Sequence, residues 1–225
     1  ASDVYKRQVV TVDGTNYGVG NLSVSFWWDN NSIHSFDFKS PLVVTPNAKQ
    51  YVWTSTSGLS SLQSGSITVS SSGSIIGNYK TQYYLTVTSP HDSPTPTTGW
   101  FDAGTPITAS VTSPWPGPTG TRYVCTGWNG TGSVPSSGTT TTVSFTIDAS
   151  SSITWTWKTQ YLLVVRTDPT GLSPQPTRNP AGEAGPSSSW WYDNSTNVNL
   201  TAQPVTGYVF LNWDVDGINV TGNPI

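Results

Sequence analysis

Few residues in this chain could do chemistry. There are two histidines, His34 and His91, one cysteine, Cys125, and one glutamate, Glu183, beside eleven aspartates. Each histidine lies in a polar stretch with no second ligand at metal spacing, the pattern of a solvated side chain. Asp214-Val-Asp216-Gly-Ile-Asn219 holds part of a calcium-loop spacing but lacks the rest of the ligand set, including a distal Glu. The same residues read more simply as a two-residue Asp216-Gly217 hairpin turn. Asp29, Asp102 and Asp193 each follow a pair of aromatics. A glycosidase needs two carboxylates facing one bond, and one recurring Asp does not supply that pair. A turn residue accepting local backbone hydrogen bonds explains the recurrence better. Serine is abundant, but no Gly-x-Ser-x-Gly elbow occurs and neither histidine has a triad context. Cys125, between apolar neighbours, reads as a small core residue. No catalytic, metal or cofactor-binding residue is therefore assigned, and the expectation is a protein that is not an enzyme.

Aromatic pairs and sequons remain. Trp27-Trp28, Trp100-Phe101 and Trp190-Trp191-Tyr192 place adjacent rings on opposite faces of an extended chain. One ring of each can enter a core. The outward ring, with Trp27, Trp100, Trp190 and Trp191 as candidates, either packs on a neighbouring unit or subunit or offers a stacking platform to a sugar. Six Asn-x-Ser/Thr sequons stand at Asn21, Asn30, Asn129, Asn194, Asn199 and Asn219. Chance explains several in so Ser/Thr-rich a chain, yet Asn30 and Asn194 fall in one predicted turn, where a glycan can be accommodated.

These residues are carried by a repeat. Lys80-Thr-Gln-Tyr-Tyr-Leu-Thr-Val-Thr88 returns as Lys158-Thr-Gln-Tyr-Leu-Leu-Val-Val-Arg166, with an aromatic before each copy, Tyr79 and Trp157. Tyr83, Leu85 and Val87 share one face of the strand this predicts. Trp191-Tyr-Asp193 matches Trp100-Phe-Asp102, and Tyr208 to Trp213 matches Tyr123 to Trp128. The reading is three β units: a divergent one over 9–79, a complete one over 80–157, and a third over 158–225. The third stops before the closing strands of the second, so it is expected to be truncated. A second hairpin is expected at Asp13-Gly14. Leu22, Val24, Phe26 and Trp28 alternate as one strand face. Residues 1–8 fit no pattern and are read as a non-native leader.

The pattern Tyr-x-Leu-Thr-Val, Gly99-Trp-Phe-Asp-Ala-Gly-Thr105, Tyr123-Val-x-x-Gly-Trp128 and Val143-x-Phe-Thr-Ile-Asp148 resembles the bacterial repeat domain. This is a divergent relative of the internalin-type B repeat, found in tandem in secreted and cell-surface proteins; the Lys-Thr-Gln-Tyr-Tyr form is most similar to archaeal surface proteins. The resemblance covers 81–225 well and 9–79 loosely. It implies an extracellular location, a spacer, adhesive or structural role, and no catalytic residues. Asn31 and Ser195 stand where the second unit has Gly104, so a different turn geometry is expected there.

Composition supports an all-β chain of small sandwich-like units with almost no helix. Only 9% of residues are charged, against about 25% in ordinary soluble domains. Eleven Trp and ten Tyr argue against disorder. Nine cations scattered through a chain of net charge −3 make no phosphate-binding stripe, which excludes nucleic acid as a partner. No apolar run is long enough to span a membrane as a helix. With one cysteine no intrachain disulfide can form. Small cores then need contacts between units. Three functions follow as expectations: a stalk, surface layer or filament built by self-association; a carbohydrate-binding or adhesive module; or a spacer attached to a secreted enzyme. Expected partners are neighbouring repeats or further copies joined head to tail, with the run Val9 to Val12 as a candidate donated strand.

Overall fold

A computed structural model describes residues 8–225. The expected leader lies outside the described residues except for Gln8, which already belongs to the first strand. In chain order the strands are β1 (Gln8–Val12), β2 (Thr15–Gly18), β3 (Ile33–Phe38), β4 (Leu42–Thr45), β5 (Lys49–Gly58), β6 (Ser64–Thr68) and β7 (Ile75–Thr88). Then come β8 (Gly99–Asp102), β9 (Thr105–Ser110), β10 (Trp115–Pro116), β11 (Thr121–Thr131), β12 (Ser137–Gly138), β13 (Thr142–Ile147) and β14 (Ser151–Val164). The last are β15 (Thr177–Asn179), β16 (Glu183–Ala184), β17 (Ser189–Asp193), β18 (Asn199–Thr201), β19 (Trp213–Val215) and β20 (Ile218–Val220). A three-residue 3-10 turn, Val19–Asn21, is the sole helical element among the described residues. The fold is all-β with sandwich character, as the period-two patterns require.

Two compact bodies result. One holds residues 8–89, 93–110 and 128–155; the other holds 90–92, 111–127 and 156–225. In the first body an antiparallel sheet runs β2-β1-β3-β6. Its inward side chains Val10, Val12, Phe36, Phe38 and Ile67 form one core cluster. Asp13 and Gly14 adopt φ of 46° and 77°, the doubly left-handed geometry of a tight hairpin, so that turn forms as expected. β1 pairs with β2 on one side and β3 on the other, and Val9, Val10 and Val12 are buried. The expected donation of Val9 to Val12 is thereby overturned: the backbone groups and side chains it would need are already spent inside this sheet.

β7 organises the rest of the first body. It pairs antiparallel with β5 from Lys49↔Tyr83 to Gly58↔Ile75, and with β8 from Gln82↔Asp102 to Leu85↔Gly99. Its end, Leu85 to Thr88, pairs in parallel with Ser151 to Thr154 of β14. β9 and β13 form a separate antiparallel pair. Leu85, Ile107, Ala109, Trp128, Val143, Ile147, Ile153 and Trp155 are buried; Val87 and Phe145 are half-buried. The repeat boundaries read at residues 80 and 158 fall inside β7 and β14, each an unbroken strand of 14 residues.

One expected strand is missing. Leu22, Val24, Phe26 and Trp28 alternate in exposure, with Leu22 the most open, but residues 22–29 belong to no strand. Alternation there places side chains without recruiting a hydrogen-bonded neighbour.

In the second body β14 pairs with β17, β17 with β16, and β15 with β18. β19 and β20 make the expected Asp216-Gly217 hairpin, with φ of 52° and 87°. The Asp214 carboxylate accepts from the Gly217 N–H at 2.7 Å, so it serves the turn. Val165, Tyr192 and Trp213 are buried, and Leu163 and Leu200 are half-buried. Phe210, which the match of Tyr208–Trp213 to Tyr123–Trp128 sets in the place of buried Cys125 and so leads one to expect in the core, is 39% exposed. It lies in a stretch, residues 208–212, that joins no strand.

Candidate functional site

The chemistry-bearing side chains meet in one arrangement that occurs twice. On β7, Lys80 Nζ and Gln82 Nε2 donate to the two carboxylate oxygens of Asp102 on β8, at 2.9 and 2.8 Å. On β14, Lys158 Nζ and Gln160 Nε2 hold Asp193 of β17 at 2.9 and 2.8 Å. Each aspartate lies directly opposite its glutamine in the strand register. The residue after each aspartate donates its N–H to the threonine carbonyl between the Lys and the Gln, Ala103 to Thr81 and Asn194 to Thr159, both at 2.9 Å. A fourth side chain completes each set. Gln50 donates to Gln82 Oε1 at 2.7 Å, and Arg122 donates through Nε to Gln160 Oε1 at 2.8 Å. Asp102 and Asp193 are thus strand-to-strand clamps, which corrects their reading as acceptors of local backbone bonds.

Electrostatics follow the geometry. The Lys80 ammonium, then the Gln82 amide, hold the Asp102 carboxyl below its ordinary value of 3.8. Lys158 and Gln160 do the same to Asp193. Both ion pairs are about half exposed, with side-chain exposures of 43 and 44% for Lys80 and Asp102. Solvent therefore screens them. Gln50 and Gln160 are buried, and their bonds carry more of the energy.

Asp29 has no such clamp. Its carbonyl accepts from the Ser32 N–H and hydroxyl. The turn after each aspartate nonetheless keeps one geometry. Asn31, Gly104 and Ser195 have φ of 65°, 81° and 66°, so the expected difference between units is not found in φ. Asn tolerates this left-handed region, whereas Ser195 adopts it at a cost.

A second cluster was invisible in local spacing. Asp13 Oδ2 lies 2.6 Å from His34 Nδ1, and Ser32 Oγ lies 2.8 Å from His34 Nε2. The connectivity is that of a Ser-His-Asp triad, where sequence gave neither histidine a triad context. The remaining parts of such a site are committed elsewhere. Ser32 Oγ donates to the Asp29 carbonyl at 2.6 Å, the Ser32 N–H to the same oxygen, and the Ser35 N–H to Asp13. The hydroxyl proton points at a carbonyl, and neither of these amides is free to hold an oxyanion. His34 instead ties the Asp13 turn to the β3 strand and stacks on Trp28 at 3.8 Å. Its hydrogen bond draws the Asp13 carboxyl below its ordinary value. Beside it, a cavity of about 890 Å³ opens between the stretch Leu22 to Trp28 and the core residues Val10, Phe36 and Phe38.

The aromatic candidates separate cleanly. Trp190 carries the Arg178 guanidinium over its face at 3.2 Å, and Trp191 carries Arg122 at 4.5 Å. Arg122 is itself fixed by Glu183 at 2.6 Å. Trp100 packs its edge on Tyr84, with centroids 5.0 Å apart. Trp27 alone of the four is fully open, at 101% exposure. All six sequon asparagines are exposed. Cys125 is buried, its thiol directed to the Gly127 carbonyl at 3.6 Å, and burial raises its pKa. No group of three His, Cys, Asp or Glu among the described residues could hold a metal ion, and none of their helices is long and apolar enough to cross a membrane. The chain matches no family model, no curated protein and no solved structure.

Proposed function

We propose that this chain is a non-enzymatic, extracellular structural protein whose tandem β units build a cell-surface stalk, surface layer or filament. One observation carries the reading: the Lys-Gln-Asp clamp recurs with the same atoms, register and distances on two strands. Charged side chains, scarce in this composition, are used to fasten strand to strand. The Trp190 and Trp191 faces are occupied by arginines, which supports an internal role for most of the aromatics. Six exposed sequons are compatible with a glycosylated surface, and the partners are neighbouring repeats or further copies. The test is single-molecule extension of the chain between its ends. Stepwise unfolding at a force lowered by Asp102→Ala and Asp193→Ala supports a mechanical role; extension without force peaks refutes it.

A second reading rests on Trp27. A fully open indole beside serines suits stacking on a sugar ring. Glycan-array binding that disappears in Trp27→Ala would favour an adhesive or carbohydrate-binding module. In the third reading the chain is a spacer for a secreted enzyme, and only the complete open reading frame separates it from the first.

A further inference from the structure

The run Tyr208-Val-Phe-Leu-Asn-Trp213 has the composition of a strand, yet only Trp213 joins one, in β19 against β20, while residues 208–212 pair with no strand among the described residues. Tyr208, Val209, Phe210 and Leu211 are 52, 94, 39 and 85% exposed, four consecutive large side chains of a kind that folded proteins seldom leave together in water. The chain itself contains the covered version. Tyr123-Val-Cys-Thr-Gly-Trp128 has the same Tyr-Val start and closing Trp, and lies within β11. Both tryptophans are buried, and each opens a pairing with a later strand, Trp128↔Gly138 and Trp213↔Val220. Cys125 is buried where Phe210 is exposed, and Val124 is half-buried where Val209 is bare.

The first run is covered by β14, its neighbour in the sheet. Thr126 Oγ1 donates to Thr156 Oγ1 at 2.9 Å, and the Trp128 ring meets Trp155 edge-on with centroids 5.8 Å apart. The covering segment is Ser151-Ser-Ile-Thr-Trp-Thr-Trp-Lys158 of β14. Its large apolar residues, Ile153, Trp155 and Trp157, alternate with threonines. We propose that Tyr208 to Trp213 is an acceptor for an added β-strand, and that the strand it takes has this chemistry: extended, neutral until a terminal lysine, with Ile or Trp alternating with Thr. Main-chain hydrogen bonds give such a strand its affinity, and the alternating side chains fix its register and face. Val209 and Leu211 would lie on its threonine side. Phe210, 5.4 Å from Trp213 between ring centroids, would receive its aromatic side.

The inference rests on the structural reading, since strand addition is how tandem β units would be joined. Its test is independent of force. A synthetic peptide with the sequence of residues 151–158 is titrated into the ¹⁵N-labelled 225-residue chain, beside a control peptide with Ile153 and Trp155 replaced by serine. Saturable amide shifts at residues 207–213, with slowed hydrogen exchange there and at least a tenfold weaker effect of the control, are expected. Phe210→Ser should abolish the response while leaving the spectrum of the remaining residues in place. Shifts confined to residues 121–128, equal responses to both peptides, or no saturable shift would each overturn the proposal.

Discussion

Replacing Asp102 by alanine tests the clamp most directly. Two donors lose their acceptor. Lys80 loses an ion pair about half exposed on both sides, a loss of about 0–1 kcal/mol. Gln82 loses a charge-assisted bond at 2.8 Å in a half-buried position, while its Oε1 stays held by Gln50. That bond contributes about 1.5 kcal/mol. The expected loss is about 1.5–2.5 kcal/mol, measured by urea unfolding at pH 7. A double-mutant cycle should find stronger coupling of Asp102 to Gln82 than to Lys80. The pH dependence has a definite sign. The folded carboxyl is held below 3.8, so its stabilisation is complete above the unfolded value and is lost as pH falls through the folded one. The wild-type advantage over Asp102→Ala should therefore persist at pH 6 and disappear towards pH 2. A loss within 0.3 kcal/mol of zero at pH 7, or an advantage that grows on acidification, would refute the reasoning.

Other outcomes follow from single positions. A Cβ at Gly104 would meet nothing within 4 Å, so Gly104→Ala pays only for a left-handed backbone; calorimetry should find a loss of about 1 kcal/mol, with Gly104→Asn milder. Trp128 is buried, and its indole N–H has no hydrogen-bond partner among the described residues. Chemical denaturation should give a loss of about 3–5 kcal/mol for Trp128→Ala and a much smaller one for Trp128→Phe. Cys125 should react with an aromatic disulfide reagent at pH 8 far more slowly in the native protein than in urea, because burial raises its thiol pKa.

The two Asp-Gly hairpins were legible because four neighbouring residues decide them. The all-β class was legible because alternation is local too. The clamp was only half legible. Lys-Thr-Gln looked like the start of a repeat and Asp102 like a turn residue, since their meeting depends on the register of β7 against β8. Asp13 and His34 are 21 residues apart in sequence, and nothing in either neighbourhood announces the other. The strand read over Leu22 to Trp28 failed for a different reason. Alternation there describes which way side chains face, and says nothing of whether a second strand is present. Phe210 failed likewise: its pattern is a strand's, and burial needs the covering strand.

β7 has a consequence for how this chain can change length. Ile75, Gly77, Tyr79, Thr81, Tyr83, Leu85 and Val87 all lie on its more covered side, on both sides of Lys80. One added residue between Lys80 and Thr81 would turn every later side chain to the opposite face, moving Leu85 into water and breaking the Gln82–Asp102 match. Insertions of one or two residues in the Pro- and Ser-rich stretch 89–98 leave that phase untouched. The chain can therefore vary in its loops, while the junction at Lys80 accepts no odd-numbered insertion or deletion. A point read at first as a boundary between units is thus held in phase on both sides.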